Sequence, residues 1–170
     1  MEKLKSVVSQ IEKVSGKNHA LPVLGAILIQ TDEGSLVFRA TNLNIGAEIR
    51  IPAKITEHGT VAVSAALLAQ ICGGISGDMP VVLETSNNNL VIQTRNSRMT
   101  LKSIASDDFP TLPRVVDSES FDVPVDLFIQ GVRSVAYSAA ISDIKPEIAS
   151  VFIYTDEDKM VFVATDAFRL

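Results

Sequence analysis

Two acidic pairs, Asp32–Glu33 and Asp156–Glu157, are the first residues that could do chemistry. Neighbouring carboxylates can divide acid and base roles when a cleft drives their pKa values apart. Both pairs lie between strand-like runs and read as hairpin tips, where carboxylates are solvated. The stretch GGISG at 73–77 is rich enough in glycine to cradle a phosphate. It follows a helical run rather than a strand, and no GxxxxGK[ST] pattern occurs, so it reads as a helix terminator. His19 and His58 fall in expected loops with no second histidine or cysteine at ligand spacing, which argues against a metal site. The single cysteine, Cys72, sits on an apolar helical run with no basic neighbour to hold a thiolate, so it reads as core. These residues weigh against an enzyme, and no cofactor is expected.

The remaining candidates are cations on a helix. Leu4, Val7, Val8, Ile11 and Val14 recur at helical spacing and form one apolar face. The opposite face carries Lys3, Ser6, Gln10 and Lys13, with Lys17 past the end and Gly16 as the stop. Such a face is either an ordinary solvated surface or a weak contact for phosphates. The net charge of −5 requires any nucleic-acid role to rest on a local basic face.

The 170 residues are 46% hydrophobic and 21% charged, enough for one well-buried domain and part of another. No apolar run approaches the roughly 20 residues that span a bilayer. The amphipathic start MEKLKSVVSQIEKV is not a signal peptide, and a cytoplasmic location with no membrane partner is expected. One cysteine precludes an intrachain disulfide, in keeping with a reducing compartment.

The helix is followed by strands. AILIQT and SLVFRAT flank Asp32, Glu33 and Gly34 as a hairpin. Ile45, Ala47, Ile49 and Ile51 then alternate with Gly46, Glu48, Arg50 and Pro52, which predicts one buried and one wet face. A short strand around Val61 and Val63 leads to Ser64, a cap for the helix AALLAQICGG. Three strand-like runs follow, PVVLET, NLVIQT and RMTLKSI, with turns at 87–89 and 95–97, and SDDFPTLP closes the unit.

The pattern then restarts. Phe121 to Val123 read as a short strand and residues 126–139 as a helix, with Phe128, Val132, Val135 and Ala136 on its apolar side. ILIQTDEGSLVFRAT (27–41) and VFIYTDEDKMVFVAT (151–165) share eight of fifteen positions at an offset of 124. The offset also holds upstream without a gap, from Leu4 and Phe128 through Pro22 and Pro146. Ungapped agreement through helix, loop and hairpin marks a duplicated domain of about 120 residues. The expected architecture is α+β, with a first domain over residues 1–117 and an incomplete second copy over 118–170. On this reading the first copy lacks an opening strand, and the second lacks roughly 70 residues that the first has.

Three stretches resemble one family. KNHALPVLGAILIQTDEGSLVFRATNL is similar to the start of the bacterial sliding clamp, the beta subunit of DNA polymerase III. RNSRMTLKSIASDDFPTLP resembles that family's Arg-rich strand and DFP-containing linker, and ATDAFRL resembles its ATDGHRL segment. The resemblance implies a DNA clamp fold, repeated domains of two helices on antiparallel sheets, with a third domain absent here. It implies a two-subunit ring that encircles double-stranded DNA without regard to sequence and tethers the polymerase, with no catalysis of its own. Lys3, Lys13, Lys17, Asn18 and Arg133 would face the DNA. Polymerase, clamp loader and repair proteins would insert an apolar peptide beside Ile148, Thr165, Ala167, Phe168, Arg169 and Leu170. Ala167 and Phe168 stand where the family has glycine and histidine, which puts the local backbone in question. Arg95, Arg98 and Lys102 would lie at the ring joint. A chain without the last domain is expected to bind such peptides poorly and not to close the ring. The alternative on the residues alone is a duplicated β-rich interaction module with no DNA role.

Overall fold

The computed structural model describes residues 2–16, 21–75, 77, 79–112, 122–141 and 145–169. They divide into two units, Met1–Arg114 and Val115–Leu170.

The first unit opens with α1 (Glu2–Glu12), whose Leu4, Val7, Val8 and Ile11 are buried. A 3-10 turn over Pro22–Gly25 leads into β1 (Ala26–Asp32), β2 (Ser35–Thr41), β3 (Gly46–Pro52) and β4 (Thr60–Ser64). Ser64 caps α2 (Ala65–Gly74) by accepting the Leu67 N–H at 3.4 Å. The helix runs through Gly73 and Gly74 and stops at the extended Ile75, so the two glycines form its last turn rather than follow it. β5 (Val82–Ser86), β6 (Asn89–Gln93), β7 (Arg98–Leu101) and β8 (Ser103–Ile104) complete the unit. A five-stranded sheet runs β3-β2-β1-β4-β8 and a three-stranded sheet β5-β6-β7.

RMTLKSI is not one strand. β7 pairs with β6, whereas β8 pairs with β4 in the other sheet. The run changes sheets at Lys102, and the Asn89 side chain holds the switch by accepting the Ser103 N–H at 3.2 Å. The β5–β6 turn uses Asn87 and Asn88 at φ 50° and 59°, the left-handed values of a two-residue hairpin turn that asparagine tolerates.

Period-two alternation sorts the core. Ile27, Ile29, Phe38, Ala40, Val61 and Val63 join the buried faces of α1 and α2. Leu90, Ile92 and Leu101 add the smaller sheet to the same cluster. Cys72 is buried there, and burial pushes its thiol pKa up. Ala47, Ile49 and Ile51 of β3 pack against this cluster while Glu48 and Arg50 stay outside, as the alternation predicts. Ile45 departs from it and is exposed. On the sheet's other face Ala26, Leu28 and Ala62 form a second cluster, covered by Ile104 and Phe109.

The second unit holds α3 (Val125–Ala136), β9 (Phe152–Asp156) and β10 (Lys159–Val163). The helix starts one residue earlier and ends three earlier than the sequence suggests, and its apolar side is only partly covered. Phe128 meets Phe162 edge to face, with ring centroids 5.7 Å apart. Gly131 lies against the same ring. The strand expected at 121–123 is not found at Asp122 and Val123, which pair with no strand; Phe121 lies outside the described residues. Among the described residues no helix is long and apolar enough to cross a membrane.

Candidate nucleic-acid face and partner-binding loop

The duplication is visible bond by bond. Leu28 pairs with Arg39 and Ile29 with Phe38; at the same offset of 124, Phe152 pairs with Val163 and Ile153 with Phe162. Upstream, the Gly16 N–H donates to the Leu24 carbonyl at 2.7 Å, and the Ala140 N–H donates to the Ile148 carbonyl at 2.9 Å. The hairpin tips differ. Gly34 takes φ 67° in the first, whereas in the second the positive φ moves one residue earlier, to Glu157 at 50°. Asp158 replaces the glycine, so the left-handed residue changes place while the register is kept.

The loop after each hairpin is also the same. Leu43 and Ala167 are both left-handed, at φ 75° and 74°. The Thr41 hydroxyl donates to the Ile45 carbonyl at 2.9 Å, and the Thr165 hydroxyl donates to the Arg169 carbonyl at 2.6 Å. Each threonine oxygen accepts the N–H two residues on, at 3.0 Å in both loops. Asn42 accepts the Asn44 and Ile45 N–H groups, and Asp166 accepts those of Phe168 and Arg169. NLNIG and DAFRL have no residue in common at matching positions, but the two loops share one backbone and one set of caps. Their shared signal is a threonine followed by Asn or Asp, residue types that fold a chain by side-chain capping. The same capping holds Ala167 left-handed without glycine, at a cost of about 1–2 kcal/mol.

Among the residues expected at a partner pocket, Thr165, Ala167, Phe168 and Arg169 therefore come together in one loop. Phe168 is 96% exposed. Arg169 donates from Nε to Asp166 at 2.9 Å, a partly exposed pair. Ile148 lies in the turn before β9 and is half-buried; Leu170 lies outside the described residues. The Phe168 N–H bonded to Asp166, followed by the Arg169 side chain, holds the carboxyl below its ordinary value of 3.8. A depressed carboxylate contributes order above its ordinary value and loses it as pH falls through the lowered one. Titration below pH 3.8 is thus expected to move the Phe168 and Arg169 amide resonances. The loop capped by Asn42 should stay unchanged, and Asp166→Asn should abolish the response, as read by amide chemical shifts.

The cations fall into two sets. Lys3 and Lys13 are exposed on and just past α1, beside Ser6 and Gln10, which hydrogen-bond at 3.0 Å. Lys17 and Asn18 lie outside the described residues. In the second unit Gln130 and Ser134 occupy the positions of Ser6 and Gln10, and the exposed Arg133 stands beside them. Contrary to the expectation that Cys72 has no basic neighbour, the half-buried Lys5 acts on it by charge, although burial outweighs this and the thiol pKa is raised. Arg95 is exposed in the turn between β6 and β7, and Lys102 is exposed just past the end of β7, an edge strand. Arg98 on that strand is held internally by Glu84 at 2.6 Å and Gln93 at 3.2 Å.

Asp32 is not poised to hold a proton. Asp32 receives the Glu33 N–H and pairs with Arg50, which lowers its pKa rather than raising it. Glu48 bridges Arg39 and Arg50, and its pKa is likewise lowered, first by Arg39. His58 stands 3.4 Å from the Thr31 hydroxyl. Among the described residues no group of three or more potential ligands could hold a metal.

Helices on antiparallel sheets, with hairpin and loop repeated, define the fold of the DNA polymerase sliding clamps. The crystal structure of the Pseudomonas aeruginosa DNA polymerase III beta subunit superposes with a TM-score of 0.89 at 22% identity, over 97% of this chain and 45% of that one. The Bacillus subtilis sliding clamp gives 0.89 at 19% identity, over 98% and 46%. Residues 1–113 match the family described as DNA polymerase III beta subunit, N-terminal domain, and the chain belongs to that family. The beta sliding clamp of Streptomyces coelicolor is 30% identical over 148 residues, 87% of this chain and 39% of the relative. That of Escherichia coli K12 is 25% identical over 99% of this chain and 46% of its own length. The chain spans less than half the length of these relatives.

Proposed function

We propose that this chain supplies the first domain and the start of the middle domain of a sliding clamp, with the boundary near residue 117. The clamp encircles duplex DNA and holds the replicative polymerase to it, in the cytoplasm and without catalysis of its own. The observation that carries this reading is the repeated polar helix face. Ser6 and Gln10 on α1 and Gln130 and Ser134 on α3 sit at equivalent positions of a repeated scaffold, flanked by Lys3, Lys13 and Arg133. Neutral donors with scattered cations suit weak, sequence-blind contact with phosphates. Lys17 and Asn18, which follow α1 in the sequence, are assigned to the same contact by the resemblance alone. The Thr165–Arg169 loop, with Ile148, would form one side of a pocket for an apolar peptide carried by polymerase, clamp loader and repair proteins; Leu170 is assigned to it by the resemblance alone. The edge strand β7, which carries Arg98 and is flanked by Arg95 in the preceding turn and by Lys102, supports a joint between two subunits, because an unpaired edge accepts a strand from a partner.

Fluorescence anisotropy with two duplexes of unrelated sequence tests the DNA contact. Binding is expected to be weak, equal for both, and steeply reduced by salt. Lys3→Glu with Lys13→Glu should flatten the salt dependence by about two phosphate contacts, roughly 1.8 in slope. Either lysine changed alone to alanine should cost only about twofold. Binding untouched by the double reversal would favour an interaction module with no DNA role.

A further inference from the structure

We propose that the cavity beside the Thr41–Ile45 loop is a ligand site of the first unit and takes a peptide C-terminus, with a large apolar side chain in the cavity and the terminal carboxylate on Arg39. The cavity has a volume of about 640 Å³, within the range of sites that hold a small ligand. It lies on the face of the five-stranded sheet that carries Leu28, away from the two helices. Its apolar walls are not fully covered by the chain itself. Leu43 is 63% exposed, and Phe109, Pro110 and Leu112 are each half-buried. Apolar surface left open in a concave site is where a ligand's apolar group gains burial.

The polar end of the cavity is Arg39 on β2. Its Nε donates to Glu48 on β3 at 2.6 Å and its Nη1 to Gln30 on β1 at 3.1 Å, which fixes the guanidinium across three strands. Its Nη2 has no hydrogen-bond partner among the described residues. Glu48 is the one acid among the described residues that line the cavity, and it also accepts from Arg50 at 3.0 Å. Its charge is divided between two arginines, so Arg39 keeps a donor and part of its charge for an anion. A guanidinium already held by two neighbours is oriented for a carboxylate. The Asn44 side chain stands on the same lining, bonded to nothing among the described residues, and can pair with the last peptide group of a bound chain end. An apolar side chain, a peptide group and a carboxylate in sequence are the chemistry of a C-terminus. The repeat sets the two loops apart here. Val163 holds the position of Arg39, and Ala167 and Phe168 hold those of Leu43 and Asn44. The shared capping gives both units one loop backbone, while Arg39 and Asn44 suit the first to a charged chain end. This goes beyond the clamp reading and does not depend on it, because every residue lining the cavity lies in the first unit.

The probe is N-acetyl-Leu-Phe with a free carboxylate, compared with the same dipeptide as its C-terminal amide, in NMR titrations of the full chain. The acid is expected to move the Leu43 and Asn44 amide resonances and the Arg39 Nε–H resonance saturably. The amide is expected to bind about tenfold more weakly. Arg39→Gln should bring the acid down to the affinity of the amide and leave the amide unchanged. Leu43→Asn, which keeps a residue type that tolerates the left-handed backbone, should weaken both forms several-fold. Acid and amide binding equally to the intact chain would overturn the inference. So would equal weakening of both forms by Arg39→Gln, or saturable binding of neither form. Should Arg39→Gln lose its dispersed spectrum, the acid–amide difference in the intact chain and the response of Leu43→Asn carry the test.

Discussion

Phe38→Ala is expected to destabilise the first unit by about 3–5 kcal/mol, the usual cost of emptying a fully buried aromatic site. Phe38 is completely buried and among the largest such side chains in the chain. It stands on β2 opposite Ile29, within the cluster that joins both helices to both sheets. Neighbours fixed in two layers can collapse only partly into the space. In a domain of roughly this size each 1 kcal/mol lowers the melting temperature by about 4–8 °C, so calorimetry should record a fall well above 10 °C. A fall of less than about 5 °C would mean that the core is more plastic than this packing implies.

Gly131→Val should disrupt the second unit, although it installs the residue of the first copy. Position 131 corresponds to Val7, which is buried on α1. In the second unit the Phe162 ring takes that space: a Cβ on Gly131 would stand 2.7 Å from Phe162 Cδ2. The ring is held against Phe128 and cannot yield without giving up that contact. Overpacking of this kind costs about 1–3 kcal/mol, offset only by the few tenths of a kcal/mol by which valine exceeds glycine in a helix interior. Loss of the Phe128–Phe162 proton contacts by NMR is the readout. Phe162→Leu in the Gly131→Val background should recover the helix signals. Equal damage in the single and double variants would show that the ring is not the obstacle.

The sequence made the β3 alternation and the common register of the two hairpins legible, because period two and a constant offset are carried by side-chain type. Other features lay beyond it for physical reasons. Alternation continues smoothly through RMTLKSI, so the change of sheet at Lys102 leaves no trace in periodicity; an asparagine on another strand fixes it. The equivalence of TNLNI and TDAFR is hidden because capping depends on two short polar side chains and leaves the other positions free. Leu43 and Ala167 share a left-handed backbone that glycine would have announced and they do not. Among the candidate site residues, the exposure of Lys3, Lys13 and Arg133 follows from helical spacing. The internal pairing of Arg98 with Glu84 does not, since β5 and β7 reach each other only across β6.

On the proposed function, this chain forms part of a ring that slides on DNA. A chimera carrying residues 1–113 in place of the matching domain of the Bacillus subtilis clamp tests it, with retention measured on a nicked circular plasmid after loading. The chimera is expected to be a folded dimer that stays on the circle through gel filtration at high salt and is lost when the plasmid is cut once. A folded, dimeric chimera that leaves the circle at once, or stays equally on linear DNA, would contradict it.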